Sequence, residues 1–546
     1  MKNLNTLFSI LLFCSLFLVG CSNDSGSTVK DNVLVYCSEA SPQSFNPQLV
    51  TSGSTFDAAR QIYNRLIEFK PGSSHITSSL ADKWEISDDG KEYIFYLREN
   101  VKFHSTDYFK PTRDFNADDV LFSFQRQWKK DHPYHHVSNL GFRYFESMGF
   151  NNRIKDIIKL NDHQIKFVLN RPDATFLATL AMDFTSILSA EYAEQLLAKG
   201  QPENIDNHPI GTGAFQLVRY QADAFIRYKA HFQYWKGQEE LKELVFAITP
   251  DPSLRFARLI AGECDLMAKP LPIHLKAVIN YPFIQVMNEP GSNIAYLAMN
   301  TNKKPFDDPK IREALNYAIN KEALIKIVYQ NTAVVAKNPI PPNMWSYNRD
   351  TPTIPFSLQT AQSLLQQAGY PNGFEMDLWA MPVQRSYNPN ATKMAELIKQ
   401  DLEKIGIRTK IISYEFGAFL EKVKKGEHQT ALLGWIGDNG DPDNFFSPLL
   451  SCNAALSGTN AAFWCDPDFD QLIKQAGMIS DIYTRTLLYQ KAQEQFSQSK
   501  PWVPIAHSRQ FILANKRVKN FRLAPTDGVY FSGVTLETSS NQENRN

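Results

Sequence analysis

Apolar positions along the chain switch repeatedly between two spacings, every second residue and every third or fourth. The first spacing marks half-buried strands and the second marks helices with one apolar face. Glu92 to Leu97 carries Tyr93, Phe95 and Leu97 at period two, and Val33-Leu34-Val35-Tyr36 is a short β-rich run. Asp308 reads as the N-cap of a helix, and Pro309 takes its first turn, where a missing N–H costs nothing. Ile311, Ala314, Leu315, Ala318 and Ile319 then form one apolar face. Leu358 to Ala368 is a second helix, stopped by Gly369 and Pro371; Met394, Leu397, Ile398, Leu402 and Ile405 mark a third, ended by Gly406. Asn116 caps a further helix through Phe124, with Asp118 and Asp119 in the first turn, where the dipole favours acids. Alternating strands and helices predict an α/β fold.

Length changes this picture. The 546 residues exceed what one hydrophobic core supports, since cores stop growing near ~250–300 residues. Two lobes are expected. No flexible linker divides the chain after Lys30, so it is expected to cross between the lobes in strands. Residues 1–20 read as a signal peptide: Lys2, then an apolar run from Leu7 to Val19, too short to span a bilayer. The run ends in Leu18-Val19-Gly20-Cys21, which looks like a bacterial lipobox and makes Cys21 the lipidation site. A Ser-, Asp- and Gly-rich stretch completes a tether over 21–30, and 539–546 is a polar, disordered tail.

Charge and cysteines narrow the function. Lys+Arg and Asp+Glu both number 57, so no basic field exists to attract nucleic acid. Cys14 leaves with the signal and Cys21 takes the lipid. Cys37, Cys264, Cys452 and Cys465 remain, an even number in an exported chain. Cys452 and Cys465 close a short loop, and Cys37 then pairs with Cys264. A four-cysteine zinc site would need closer pairs. Neither a Gly-x-Ser-x-Gly elbow nor a His-Glu-x-x-His helix occurs, which argues against a hydrolase.

Many separate runs then match one family in order. They include Tyr63-Asn64-Arg65-Leu66, Leu80 to Gly90, Val101-Lys102-Phe103-His104, Phe115 to Val120, Pro209-Ile210-Gly211-Thr212-Gly213, Ile311 to Leu315 and Gly434-Trp435. From about Val33 to Leu536 the chain resembles the dipeptide/oligopeptide-binding family of ABC transporter substrate-binding proteins, solute-binding protein family 5. Tyr36 to Pro42, Trp379 to Arg385 and Gly437 to Phe445 resemble its dipeptide-binding branch, with the heme- and glutathione-binding relatives. The resemblance implies a two-lobed periplasmic-binding-protein clamshell. Lobe one would be 31–290 plus 509–538, with an extra subdomain about 63–212, and lobe two 291–508. It also implies a periplasmic receptor that is not an enzyme. That receptor hands a short peptide to ABC permease subunits, with heme or glutathione as alternative ligands. We expect a monomer, anchored to the membrane through Cys21, with no resident metal or cofactor. Ala214 departs from the family, which usually has Pro there; an altered turn is expected, with activity intact.

A free peptide is a zwitterion, and a cleft that engulfs it must pair both ends, because an unpaired buried charge is costly. The resemblance makes Asp438 the partner of the ligand ammonium and Arg385 the partner of its carboxylate. A guanidinium suits that role because its fork meets a carboxylate through two parallel hydrogen bonds. Arg385 would also limit ligand length. Asp441 and Asp443, in Asp441-Pro442-Asp443-Asn444, read equally well as turn chemistry. Tyr387, Phe416 and Trp435 are candidate side-chain-pocket walls, with Phe416 where the family often has Trp. His132, His135 and His136 form a local cluster that could serve a metal or heme iron, or form a plain loop broken by Pro133.

Overall fold

The computed structural model describes residues 32–50, 52–524, 526 and 528–537. The signal segment, Cys21 with its tether, and the tail from 539 lie outside the described residues. Buried apolar side chains fall into two large clusters. One runs from Leu34 to Ala268 and resumes from Ile512 to Val534. The other runs from Ile294 to Ala506. Two cores are what the size limit of a single core dictates, and the fold is a two-lobed α/β clamshell.

In the first lobe, β1 (Val33–Ser38) pairs in parallel with Glu243–Ile248 on one side and Leu266–Ala268 on the other. A separate antiparallel sheet of four strands spans Ala81 to Leu169. Its strand Glu92–Leu97 buries Tyr93, Phe95 and Leu97 and half-buries the residues between, as period two requires. Helix α1 (Ala117–Trp128) packs beside it, one turn longer than the expected end at Phe124. Its capping box is complete: the Asn116 side chain accepts from the Asp118 N–H, and the Asp119 carboxylate accepts from the Asn116 N–H. Gly211 and Gly213 lie against the carbonyl of Ile62, where a Cβ would clash with backbone.

Two strand segments cross between the lobes. β2 (Ile284–Pro290) ends the first lobe and β3 (Asn293–Met299) opens the second. α2 (Pro309–Ala318) follows on its Asp308 cap, then α3 (Lys321–Ile327), α4 (Leu358–Gln367), β4 (Glu375–Trp379) and α5 (Ala391–Glu403). Ile311, Ala314, Leu315 and Ala318 are fully buried, as are Met394, Ile398 and Leu402. α6 (Phe416–Lys424), β5 (Thr430–Ile436) and α7 (Asp443–Leu450) complete the cleft side of this lobe. The last long strand, β6 (Trp502–Asn515), returns: its first half pairs with β3 and its second half with β2.

The crossing is stitched by side chains. Asn293 Oδ1 accepts from the Ser508 N–H at 2.9 Å, and Asn293 Nδ2 donates to the Ser508 carbonyl at 3.1 Å. Both expected disulfides are present. Cys37–Cys264 ties β1 to a segment 227 residues away, with Cα atoms 5.8 Å apart. Cys452–Cys465 closes a short loop after α7, with Cα atoms 4.5 Å apart.

Candidate functional site

β5 lies antiparallel to β3, with Ile436 opposite Asn293, and its end delivers the chain to the mouth between the lobes. The Gly437 N–H donates to the Ser292 carbonyl at 2.7 Å, holding the following loop against the crossing segment. Asp438 comes next. Its N–H donates to Asn444 Oδ1 at 2.9 Å, and the same oxygen accepts from Trp435 Nε1 at 3.1 Å. Asn444 Nδ2 reaches back to Asp438 Oδ2 at 3.5 Å. One side chain in the first turn of α7 thus fixes both the acid and the indole.

The other lobe supplies the remaining partner. Tyr144 Oη donates to Asp438 Oδ1 at 3.1 Å. Burial raises the Asp438 carboxyl above the ordinary range, against the pull of the Tyr144 and Asn444 hydrogen bonds. Burial and the neighbouring Asp438 charge raise the Tyr144 phenol. Among the described residues Asp438 has no cationic partner.

Arg385 follows β4 in a tight turn, with its N–H and carbonyl paired to those of Asn388 at 3.0 Å each. Its guanidinium lies 4.4 Å from the centroid of the Phe416 ring, a cation–π contact with the first residue of α6. Among the described residues it forms no ion pair. The first lobe differs. Arg60 holds Asp183 with two hydrogen bonds, at 2.7 and 3.0 Å, and Arg65 adds a third at 2.9 Å. Arg60 also holds Asp57 at 2.9 Å. Those charges satisfy one another; Asp438 and Arg385 do not.

Asp438 and Arg385 line one chamber of about 370 Å³, opposite Phe56, Arg60, Tyr144 and Asp183 of the first lobe. A second chamber, about 570 Å³, continues past Arg385 between Leu271, Leu275, Phe511 and Ile512. Phe416 and Trp435 stand behind Arg385 and Asp438 and line neither chamber. Tyr387, read from the sequence as a pocket wall, is buried in the second lobe's core. Its ring lies against Gly434, where a Cβ would come within 2.2 Å of it. Burial pushes its phenol up to about 12.

A profile of the bacterial extracellular solute-binding proteins, family 5 middle region, matches residues 75–457. The chain belongs to this family. It is 49% identical to the dipeptide-binding protein of Escherichia coli K12 over 512 residues, covering 94% of this chain and 96% of that one. It is 47% identical to heme-binding protein A of Haemophilus influenzae over 508 residues, covering 93% of each. Among solved structures, HbpA2 from Haemophilus parasuis superposes with a TM-score of 0.90 at 44% identity, over 93% of this chain and all of that one. A dipeptide-binding protein from Pseudoalteromonas sp. SM9913 in complex with Met-Leu gives 0.78 at 42% identity, over 92% of this chain and all of that one.

In this family 5 protein Asp441 and Asp443 belong to the frame behind the site. Asp441 Oδ1 pairs with the buried Arg485 at 2.8 Å, and Asp443 accepts from Ser447 Oγ at 2.7 Å. His132 and His135 are each tied into their own loop: His132 Nδ1 accepts from the Tyr134 N–H, and His135 Nδ1 meets the Arg126 carbonyl. Among the described residues no group of three or more His, Cys, Asp or Glu could hold a metal. The reading by sequence missed Tyr144. The residue sits in the aromatic run Phe142-Arg143-Tyr144-Phe145, which resembles core, and nothing local ties it to an acid 294 residues away.

Proposed function

We propose that this protein is the lipid-anchored substrate-binding component of an ABC importer. It captures dipeptides or similarly short peptides in the periplasm and delivers them to membrane permease subunits. Cys21 carries the anchor, and the chain works as a monomer. The observation that carries the reading is a pair of opposite charges, Asp438 and Arg385, facing one chamber without ion-pair partners among the described residues. A zwitterionic peptide satisfies both at once, its ammonium on Asp438 and its carboxylate on Arg385. The peptide amides lie between these ends, and the Phe416 ring packs against the guanidinium that makes the bidentate contact. The same site performs no bond-breaking step; it binds, encloses and releases.

A second reading is a receptor for heme or glutathione. The larger chamber past Arg385 favours it, because a dipeptide clamped at Arg385 leaves that space empty. Glutathione also brings an ammonium and carboxylates to the same two residues. Isothermal calorimetry on the lipid-free protein with dipeptides, longer peptides, reduced glutathione and heme separates the readings. The dipeptide reading expects tight dipeptide binding. Asp438→Asn and Arg385→Met should each weaken it by about 100-fold or more, as for one buried charge left unpaired. Binding of glutathione or heme with dipeptides silent would keep the receptor and overturn the ligand.

A further inference from the structure

The loop that carries Asp438 meets the first lobe at a further point, two residues on. Ile67–Phe69 and Ile76–Ser78 of the first lobe form an antiparallel hairpin, with Phe69 opposite Ile76. Its tip is held by its own hydrogen bonds. The Lys70 N–H donates to the His75 carbonyl at 2.8 Å, the Ser73 N–H to the Lys70 carbonyl at 2.9 Å, and the His75 N–H to Ser73 Oγ at 3.1 Å. Gly72 turns the chain at a φ of 73°, with its backbone beside the Arg522 side chain. This tip sets Ser74 directly against Gly440 of the second lobe. A Cβ on Gly440 would overlap the Ser74 Cβ and stand 2.7 Å from the Ser74 carbonyl oxygen; the three nearest atoms all belong to Ser74. Gly440 is fixed on both sides as well. The Asp438 N–H is held by Asn444, the Asp441 N–H donates to Asn439 Oδ1 at 3.0 Å, and the Asp441 carboxylate holds Arg485.

We propose that Gly440 is a positioning residue for lobe closure: its missing side chain lets the first lobe's hairpin seat on the Asp438 loop, and a larger residue there holds the lobes apart. Gly440 does not take a positive φ, so an alanine is compatible with its backbone. The strain of a side chain therefore falls on the contact between the lobes and vanishes when they separate. Neither partner gives way cheaply, because each is tied into its own lobe by the hydrogen bonds above, and forcing atoms into a filled space is destabilising. Gly437, three positions earlier, differs: a Cβ there would meet Phe445 of its own lobe at 2.8 Å, so that glycine serves packing within the lobe. Closure thus depends on a backbone fit beside the site as well as on the charges that a ligand brings.

The inference rests on the receptor reading, in which the lobes close on a ligand, and its test separates the two. Closure is read without ligand, by cross-linking. Ala174→Cys and Gly477→Cys place a cysteine pair on the 2.9 Å hydrogen bond between the lobes, within disulfide reach when they are closed. Oxidation of this pair by copper phenanthroline is followed by mass spectrometry. Adding Gly440→Ala should slow it by at least about fivefold, and adding Gly440→Leu should slow it further. Ser74→Leu crowds the same contact from the first lobe and leaves the second untouched, so it should slow oxidation too, even where a Gly440 variant folds poorly. Calorimetry with Met-Leu should show affinity falling in the same order. Equal oxidation rates with Gly440 and with either Gly440→Ala or Ser74→Leu would overturn the proposal, whatever the cleft binds. Graded rates with Met-Leu silent throughout would uphold it and overturn the dipeptide reading instead.

Discussion

Asp438 and Asp443 lie five positions apart, and burial raises both carboxyls for different ends. Asp438 is raised while facing the cleft, where a ligand ammonium would restore its charge. Asp443 is pushed up to about 6 by burial and by the charge of Asp441, and it faces no cleft chamber. A carboxyl whose folded pKa is raised contributes stability that is full below its unfolded value, near 3.9, and is lost as pH climbs through about 6. Asp443→Asn removes that loss. The variant should be more stable than the wild type by on the order of 2 kcal/mol at pH 8, and the gap should close below pH 4. Urea unfolding at the two pH values measures it; a gap independent of pH would mean Asp443 titrates normally.

Among the elements, α7 does more than close the second lobe's core. Its buried residues Phe445, Phe446, Leu449 and Leu450 anchor it, and Asn444 one residue earlier turns that anchorage into site geometry. The Asn444 amide joins the Asp438 N–H, the Asp438 carboxylate and the Trp435 indole. Asn444→Ala strands a half-buried indole N–H and frees the acid to turn. The expected result is about tenfold weaker peptide binding, matching one lost hydrogen-bond set of about 1.4 kcal/mol. A change in ligand-free tryptophan fluorescence should accompany it. An affinity drop without that spectral change would mean Asn444 touches the ligand directly. Within elements, local rules reach far: Asn116, Asp308, Ser357 and Asn390 each cap the helix that the apolar spacing predicts.

For the whole molecule, the decisive contacts run between lobes. Tyr144 donates to Asp438, Asn439 Nδ2 approaches Met182 Sδ at 3.8 Å, and the Ala174 N–H donates to the Gly477 carbonyl at 2.9 Å. Two strand segments join the lobes among the described residues, with Asn293 and Ser508 at the join, and hinge closure there is the expected response to a ligand. A ligand that pairs charges in the chamber stabilises the closed arrangement by its differential affinity for it. A saturating dipeptide should therefore reduce the radius of gyration in solution scattering. The same envelope with and without a tight ligand would overturn closure on the ligand.

The sequence alone determined the elements and their ends, because apolar period and capping side chains act within a few residues of one another. It also determined the need for two cores, through length. Motif runs singled out Asp438 and Arg385, since they lie inside the matching segments. Tertiary structure decided what those two residues face. That Arg60 and Asp183 are satisfied while Asp438 and Arg385 are not depends on contacts between residues more than a hundred positions apart. It also decided that Tyr387 packs into the second lobe's core and that the Tyr144 hydroxyl reaches Asp438. Both are aromatic residues in mixed runs, and only the packing of one lobe against the other fixes which ring is enclosed and which hydroxyl meets an acid.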